Sequence, residues 1–359
     1  FMEYIKENVT DYLPERFEES EISIQQVVKN NDVVLDGLSI RNPDSNLSPN
    51  IYLNPLYEQY QKGRNLDELV SSIADTYIEN MEPIENRTFQ VQIEDIKNYE
   101  VVKGEIFPRL VNLEKNTTRL QNVPYTQRED LAITYHVKVS GNRDSIGSLM
   151  ITNELMEVYG VTKEKLHTQA MENMERLSPP VFLPLGEMIV DVMTEDFGRN
   201  EGVSQEEAKE YVKDMIPTGG PNVYCLTNQY KMNGAVGIMS ESIQQMVADR
   251  VGGDYYVLPS SVHEVLIVPQ SAGMDPEELT DMVNTVNEGC VMQDEILSDH
   301  VYQYDAKEHK LSLCAPAKEM KQEQTMEQNR QPAFEEKSID ATKQPEQSHE
   351  PIKHSGRSH

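Results

Sequence analysis

The sequence predicts an α+β fold: mixed, mainly antiparallel sheets with packed helices, in two subdomains with a disordered C-terminal tail. Three observations predict it. Short apolar runs alternate with a period of two between Asn-, Asp- and Gly-rich turns, which is strand chemistry. Longer segments repeat apolar residues at helical spacing behind Ser, Thr, Asn or Asp caps. From Pro316 onward large apolar residues almost vanish, so that stretch cannot bury enough surface to offset chain entropy. The expected divisions are residues 1–140, 141–315 and 316–359.

Met2 to Leu13 reads as a short helix with Ile5, Val9 and Tyr12 on one face, stopped by Pro14. Glu21 to Lys29 and Val33 to Arg41 form a hairpin around Asn30, Asn31 and Asp32. Residues 42–50 have loop composition, and Ile51 to Leu53 make a third short strand. Pro55 to Gln61 is helical and ends near Gly63, a suitable C-cap. Asn65 opens an amphipathic helix with Glu68 as its box partner and Leu69, Ile73 and Tyr77 inward. Helix is expected around Ile93 to Tyr99 and again around Gly104 to Leu113. Leu131 to Val139 is a strand that places Tyr135 opposite His136, and an isolated strand histidine reads as structural.

Ser148 to Asn153 is a further strand. Leu155 to Tyr159 is a helical turn closed by Gly160, and Thr162 caps a helix with Leu166, Ala170 and either Met171 or Met174 inward, His167 on or near that face. After Pro179 and Pro180, Val181 to Leu185 is apolar and Met188 to Thr194 fits either strand or helix. Asp191, Glu195 and Asp196 cluster there without a fixed ligand spacing or a histidine, so no metal is expected. Ser204 and Glu207 form a capping box, and Pro217 to Pro221 is the clearest internal break. Val223 to Thr227 and Ala235 to Met239 read as strands joined through Asn233 and Gly234. Ser240 starts a helix with Ile243, Met246 and Val247 inward, ended by Gly252 and Gly253. Tyr255 to Leu258 and Val262 to Val268 are the next strands. Asp275 and Pro276 open a helix with Leu279, Met282, Val283 and Val286 inward. A short helix at Asp294 to Leu297 leads to strands Val301 to Tyr304 and Lys310 to Cys314.

The chain has 359 residues and a net charge of −29. Its tail holds seven basic against eight acidic residues, so the folded part carries nearly all of that charge. Such a field repels phosphate backbones and anionic membranes, and direct nucleic-acid binding is not expected. The three cysteines form no CxxC pair, which excludes a zinc ribbon or redox motif and fits a cytoplasmic location. The first thirteen residues carry Glu3, Lys6 and Glu7 without an apolar run, so no signal peptide is expected, and no stretch suits a transmembrane helix.

The one His-Glu pair inside an apolar run is His263-Glu264. It lacks the second histidine of H-E-x-x-H, since position 267 is Ile, and its surroundings read as a strand pairing with Tyr255 and Tyr256. Acid-base work by His263 needs an orienting carboxylate and an open pocket, neither of which the sequence displays. The glycine pairs lack phosphate-loop spacing, no G-x-S-x-G elbow occurs, and Cys225 lacks a basic neighbourhood. Tyr255 and Tyr256 offer contact surface with polar tips, one ring directed to the core. The candidate binding residues are therefore Tyr255, Tyr256, His263 and Glu264, with no catalytic, cofactor or metal residue assigned.

Several phrases resemble one family: VVKNNDVVLDGLSIR and IYLNPLYEQYQKG near the start, LMITNELMEVYGVTKEKLHTQAMENM in the middle, and YCLTNQYKMNGAVGIM, GGDYYVLPSSVHEVLIVP and LSDHVYQYD later. From about Tyr4 to Leu313 the chain resembles the bacterial "domain of unknown function 5688", and the middle phrase is distantly similar to YtpQ-type proteins. The resemblance implies cytoplasmic proteins of Gram-positive anaerobes, often encoded near mobile elements, with no assigned activity or cofactor.

The expected function is a non-enzymatic accessory or protein-interaction role whose partner is another protein. One alternative is an acidic DNA mimic that occupies a nucleic-acid-binding protein. A second is a hydrolase using His263 and a carboxylate, which requires His263 to line a pocket with a second polar group in hydrogen-bond reach.

Overall fold

The computed structural model describes residues 1–43, 50–85, 91, 93–141, 146–213, 215 and 222–314. The expected disordered tail and the break at Pro217 to Pro221 lie outside the described residues. Phe1–Cys314 forms one compact unit. Its fold is α+β, with three antiparallel sheets among the described residues.

The first sheet has the order β1-β2-β3, with β1 Glu21–Val28, β2 Val34–Arg41 and β3 Asn50–Tyr52. Ile24 pairs with Leu38 and Val28 with Val34 across the expected hairpin. Its core is closed by the helix Leu66–Glu85, which buries Val70, Ile73, Tyr77 and Met81 against Leu38 and Ile40. Asn65 Oδ1 accepts the Asp67 N–H at 2.7 Å, so the predicted cap is in place.

The second sheet consists of β4 Ile106–Asn112, β5 Tyr125–Arg128, β6 Leu131–Gly141 and β7 Ile146–Met150. Strand β6 is its spine, with β4 along one side and β5 and β7 also paired to it. The expected division between residues 140 and 141 falls within β6. The helix expected around Gly104 to Leu113 is instead edge strand β4. Pro108 argues for that outcome, because proline breaks a helix interior but is admitted on an edge strand. Both faces of β4 are buried apart from half-buried Arg109, which erases the period-two signal.

The third sheet runs β13-β12-β10-β11-β9-β8, with β8 Pro180–Pro184, β9 Tyr224–Asn228, β10 Tyr255–Leu258, β11 Val265–Pro269, β12 Tyr302–Asp305 and β13 Lys310–Leu313. Tyr135 and Val137 of β6 share one core with Leu226, Tyr255, Val265 and Ile267 of the third sheet. The ambiguous Met188 to Thr194 segment lies in the helix Leu185–Glu201. The Asp275 cap and Pro276 open the helix Pro276–Gly289 as expected, but only Leu279 and Val283 of its stripe are buried. Met282 and Val286 are 49% and 39% exposed. The short helix expected at Asp294 to Leu297 is a turn, closed by the Glu295 N–H on the Met292 carbonyl at 2.8 Å.

Ala235 to Met239 is not a strand but part of the 3-10 helix Gly234–Met239. Asn233 stands at φ 53° ahead of it, and Gly234 N–H donates to the His263 carbonyl at 2.9 Å. That bond ties the segment to the stretch before β11 rather than to β9 as a hairpin. Among the described residues no helix is long and apolar enough to cross a membrane.

Candidate functional site

The turn that joins β1 and β2 does more than reverse the chain. Asn31 and Asp32 sit at φ 59° and 51°, in the left-handed region where Asn and Asp are the side-chain-bearing residues best tolerated. Asn31 Nδ2 donates to the Gln293 and Ile296 carbonyls at 2.8 and 2.7 Å. Its Oδ1 accepts from Asn116 Nδ2 at 2.9 Å. Asp32 Oδ2 accepts the Thr118 N–H at 2.8 Å and thereby caps the short helix Thr117–Leu120. Three stretches far apart in sequence are thus locked together, and a cavity of about 280 Å³ opens among them.

Arg109 and Arg119 both line this cavity. Arg109 stands on β4 opposite Thr134 of β6 and donates through Nη2 to Ser148 Oγ at 2.8 Å. Its Nε is enclosed and has no hydrogen-bond partner. Burial pushes the Arg109 pKa down to about 10, and the charge of Arg119 pushes the same way. Arg119 is also lowered by burial, partly offset by Asp32. Among the described residues no carboxylate lies within 4.0 Å of either guanidinium. The two cations therefore line one concave site without an ion pair among the described residues, with Asp32 the one acid that offsets the burial of Arg119, in a chain whose net charge is −29.

His136 lines the same cavity. It is fully enclosed in β6, and its Nε2 lies 3.2 Å from Thr134 Oγ1. Burial, then the charges of Arg109 and Arg119, hold its pKa well below the usual histidine value, so it is neutral. The strand histidine read as structural thus forms a neutral wall of the cavity.

His263 faces the same cavity. It does not lie in a strand, because β11 begins only at Val265, and Tyr255 and Tyr256 pair with Pro269 and Val268 instead. Its Nε2 is 3.2 Å from Glu295 Oε1, and its Nδ1 accepts the Asn233 N–H at 3.2 Å. The second bond places the ring proton on Nε2, facing the carboxylate. The carboxylate that orients His263 is thus Glu295, not its neighbour Glu264. Asp294, the other acid of the rim, pairs with Lys29 at 4.0 Å.

Glu264 leaves the backbone on the other side and lines a separate apolar cavity. Burial raises its pKa; the charge of His263 and a bond from Ser261 oppose the rise. Tyr255 is fully buried, stacked on Tyr304 with centroids 4.9 Å apart, and Tyr256 is half-buried. Neither tyrosine lines the cavity. The four candidate residues therefore diverge: one tyrosine is core, the other packs beside Leu258 and Val268, and His263 and Glu264 face opposite cavities.

Arg109, Arg119, Glu295 and Asn233 escaped the sequence reading. The available signal was Arg109, a charge in the middle of the apolar run IFPRLVN. The acidic cluster at Asp191 and Glu195 is occupied by ion pairs to Lys209 at 3.7 Å and Lys231 at 2.8 Å. Among the described residues no three His, Cys, Asp or Glu side chains gather as a metal site.

The fold and site define an α+β protein with an arginine-lined cavity between its first two sheets and the loop residues Asn233, Val262, His263, Asp294 and Glu295. The chain belongs to a family of unknown function (DUF5688), whose family model matches residues 1–306. No curated protein and no solved structure matches it, and none of these comparisons bears out the YtpQ-type likeness.

Proposed function

We propose that this protein is a non-enzymatic accessory protein that binds a small phosphate- or carboxylate-bearing ligand between Arg109 and Arg119. The observation that carries the reading is that Arg109 and Arg119 line one cavity with no carboxylate of the described residues within 4.0 Å of either guanidinium, its two acids Asp294 and Glu295 being taken up by Lys29 and His263. A half-buried cation with no ionic partner is costly to keep, and a planar fork of donors matches an oxyanion. An anion supplies the missing partner and relieves the repulsion between the two arginines. Neutral His136 adds no third charge, and Asn30 and Asn233 offer polar edges for the rest of the ligand.

The same geometry weighs against the hydrolase reading. Both ring nitrogens of His263 are engaged, one by Asn233 and one by Glu295, so neither is free to take a proton from water. His263 fits the role of a positioning residue for the cavity wall. The three cysteines are unpaired, which supports a reducing compartment such as the cytoplasm.

The test is calorimetric titration of the full chain with inorganic phosphate, a sugar monophosphate and succinate. At least one binds with Kd below about 1 mM, and Arg109→Gln and Arg119→Gln each weaken it by about tenfold or more. Absence of binding by all three up to about 10 mM, or unchanged affinity in both variants, contradicts the reading.

A further inference from the structure

A second cavity, of about 420 Å³, lies on the other side of the segment that carries His263 and Glu264. Its floor is the third sheet, through Cys225 of β9, Leu258 of β10 and Leu266 of β11. Its walls are the helices Leu185–Glu201 and Pro276–Gly289, through Leu185, Met188, Val283 and Val286. A volume in this range is that of a small-molecule site rather than a packing defect. Val192, Met282 and Val286 are each at least 39% exposed and leave the mouth apolar. The Pro276–Gly289 stripe that looked like core in the sequence is thus only half core, and the other half lines this opening.

The polar groups of the lining are few: Thr227, Ser260, Ser261, Lys231 and Glu264. Lys231 is already paired with Glu195 at 2.8 Å. Thr227 Oγ1 already donates to the His263 carbonyl at 2.8 Å. Glu264 is half-buried and has no cation within 4.0 Å among the described residues. An apolar chamber whose one acid has no ion-pair partner among the described residues matches a molecule with an apolar body and a single cationic head. The charge of the whole chain favours the same sign of ligand.

We propose that this cavity binds a hydrophobic amine, its apolar body between the two helices and its ammonium group on the Glu264 carboxylate. The acid gains the ionic partner it lacks, and the buried tail contributes the larger share of affinity through its apolar area. Cys225 in the floor is a packing residue, since burial holds its thiol protonated.

Ligand-observed NMR and calorimetry on the full chain with octylamine, octanol and octanoate test this. Octylamine binds at least about tenfold more tightly than octanol, and octanoate more weakly still. Glu264→Gln, which keeps the side-chain shape, removes the preference for amine over alcohol. Met282→Trp, at the half-exposed rim, weakens amine and alcohol alike by narrowing the mouth. Octanoate binding as tightly as octylamine, an unchanged amine preference in Glu264→Gln, or no binding by any of the three overturns the proposal. Phosphate titration of Glu264→Gln separates this site from the arginine cavity: anion affinity stays within about twofold of the parent.

Discussion

Replacing Gly234 by alanine is expected to damage both cavities at once, and the structure sets the scale. A Cβ at this position stands 2.5 Å from Thr227 Oγ1, 2.6 Å from the Asn228 nitrogen and 2.8 Å from the His263 carbonyl oxygen. Two of these atoms are backbone and cannot rotate away. Relief requires the segment before β11 to draw back from β9. That movement breaks the Gly234 N–H bond to the His263 carbonyl at 2.9 Å and the Thr227 hydroxyl bond to the same oxygen at 2.8 Å. Forced overpacking costs about 1–3 kcal/mol, and each lost hydrogen bond about 1 kcal/mol. The expected loss is about 2–4 kcal/mol, allowing for partial relaxation. Urea unfolding at an unchanged m-value measures it, and the His263 ring signals by NMR report the displacement. A loss below about 0.5 kcal/mol with His263 signals unmoved refutes the close-approach reasoning.

Arg109→Met is expected to raise the stability of the ligand-free protein by about 1 kcal/mol while abolishing anion binding, since it removes a half-buried cation that lacks an ion pair; a destabilised variant with intact binding speaks against this. The His136 pKa is depressed in the folded state, so below its ordinary value of 6.5 the unfolded chain takes up a proton that the folded one refuses. Stability present at neutral pH is therefore lost as pH falls, by about 1.4 kcal/mol between pH 7.5 and 5.5 for this group alone. His136→Gln flattens that slope in urea titrations, although half-buried His167, lowered mainly by burial, leaves a smaller slope of the same sign. Asn31→Ala forfeits the bonds to Gln293, Ile296 and Asn116 and places alanine at φ 59°, for an expected loss of about 3 kcal/mol by urea unfolding.

Elements with a local cause were legible in the sequence. The β1-β2 hairpin follows from its Asn-Asn-Asp turn, the Leu66–Glu85 helix from its Asn65 cap and stripe, and the Pro276–Gly289 helix from Asp275 and Pro276. Elements set by tertiary contact were not. Strand β4 is buried on both faces and shows no alternation, and the Gly234–Met239 run has strand composition but is held as a 3-10 helix by bonds to Val262 and His263. The site was least legible of all. Arg109, Arg119, His263 and Glu295 come from four separated stretches, and no spacing rule joins them. His263-Glu264 drew attention as a pair, yet the two line different cavities from the bend before β11, and neither motif nor spacing signals that divergence.

The central claim is that Arg109 and Arg119 hold an anion, and crystals of the full chain grown with tungstate test it most directly. The account predicts an anomalous peak inside the cavity, within about 4 Å of both guanidiniums, that disappears in Arg109→Gln. Tungstate bound only elsewhere on the surface, with the arginine cavity holding water alone, contradicts it.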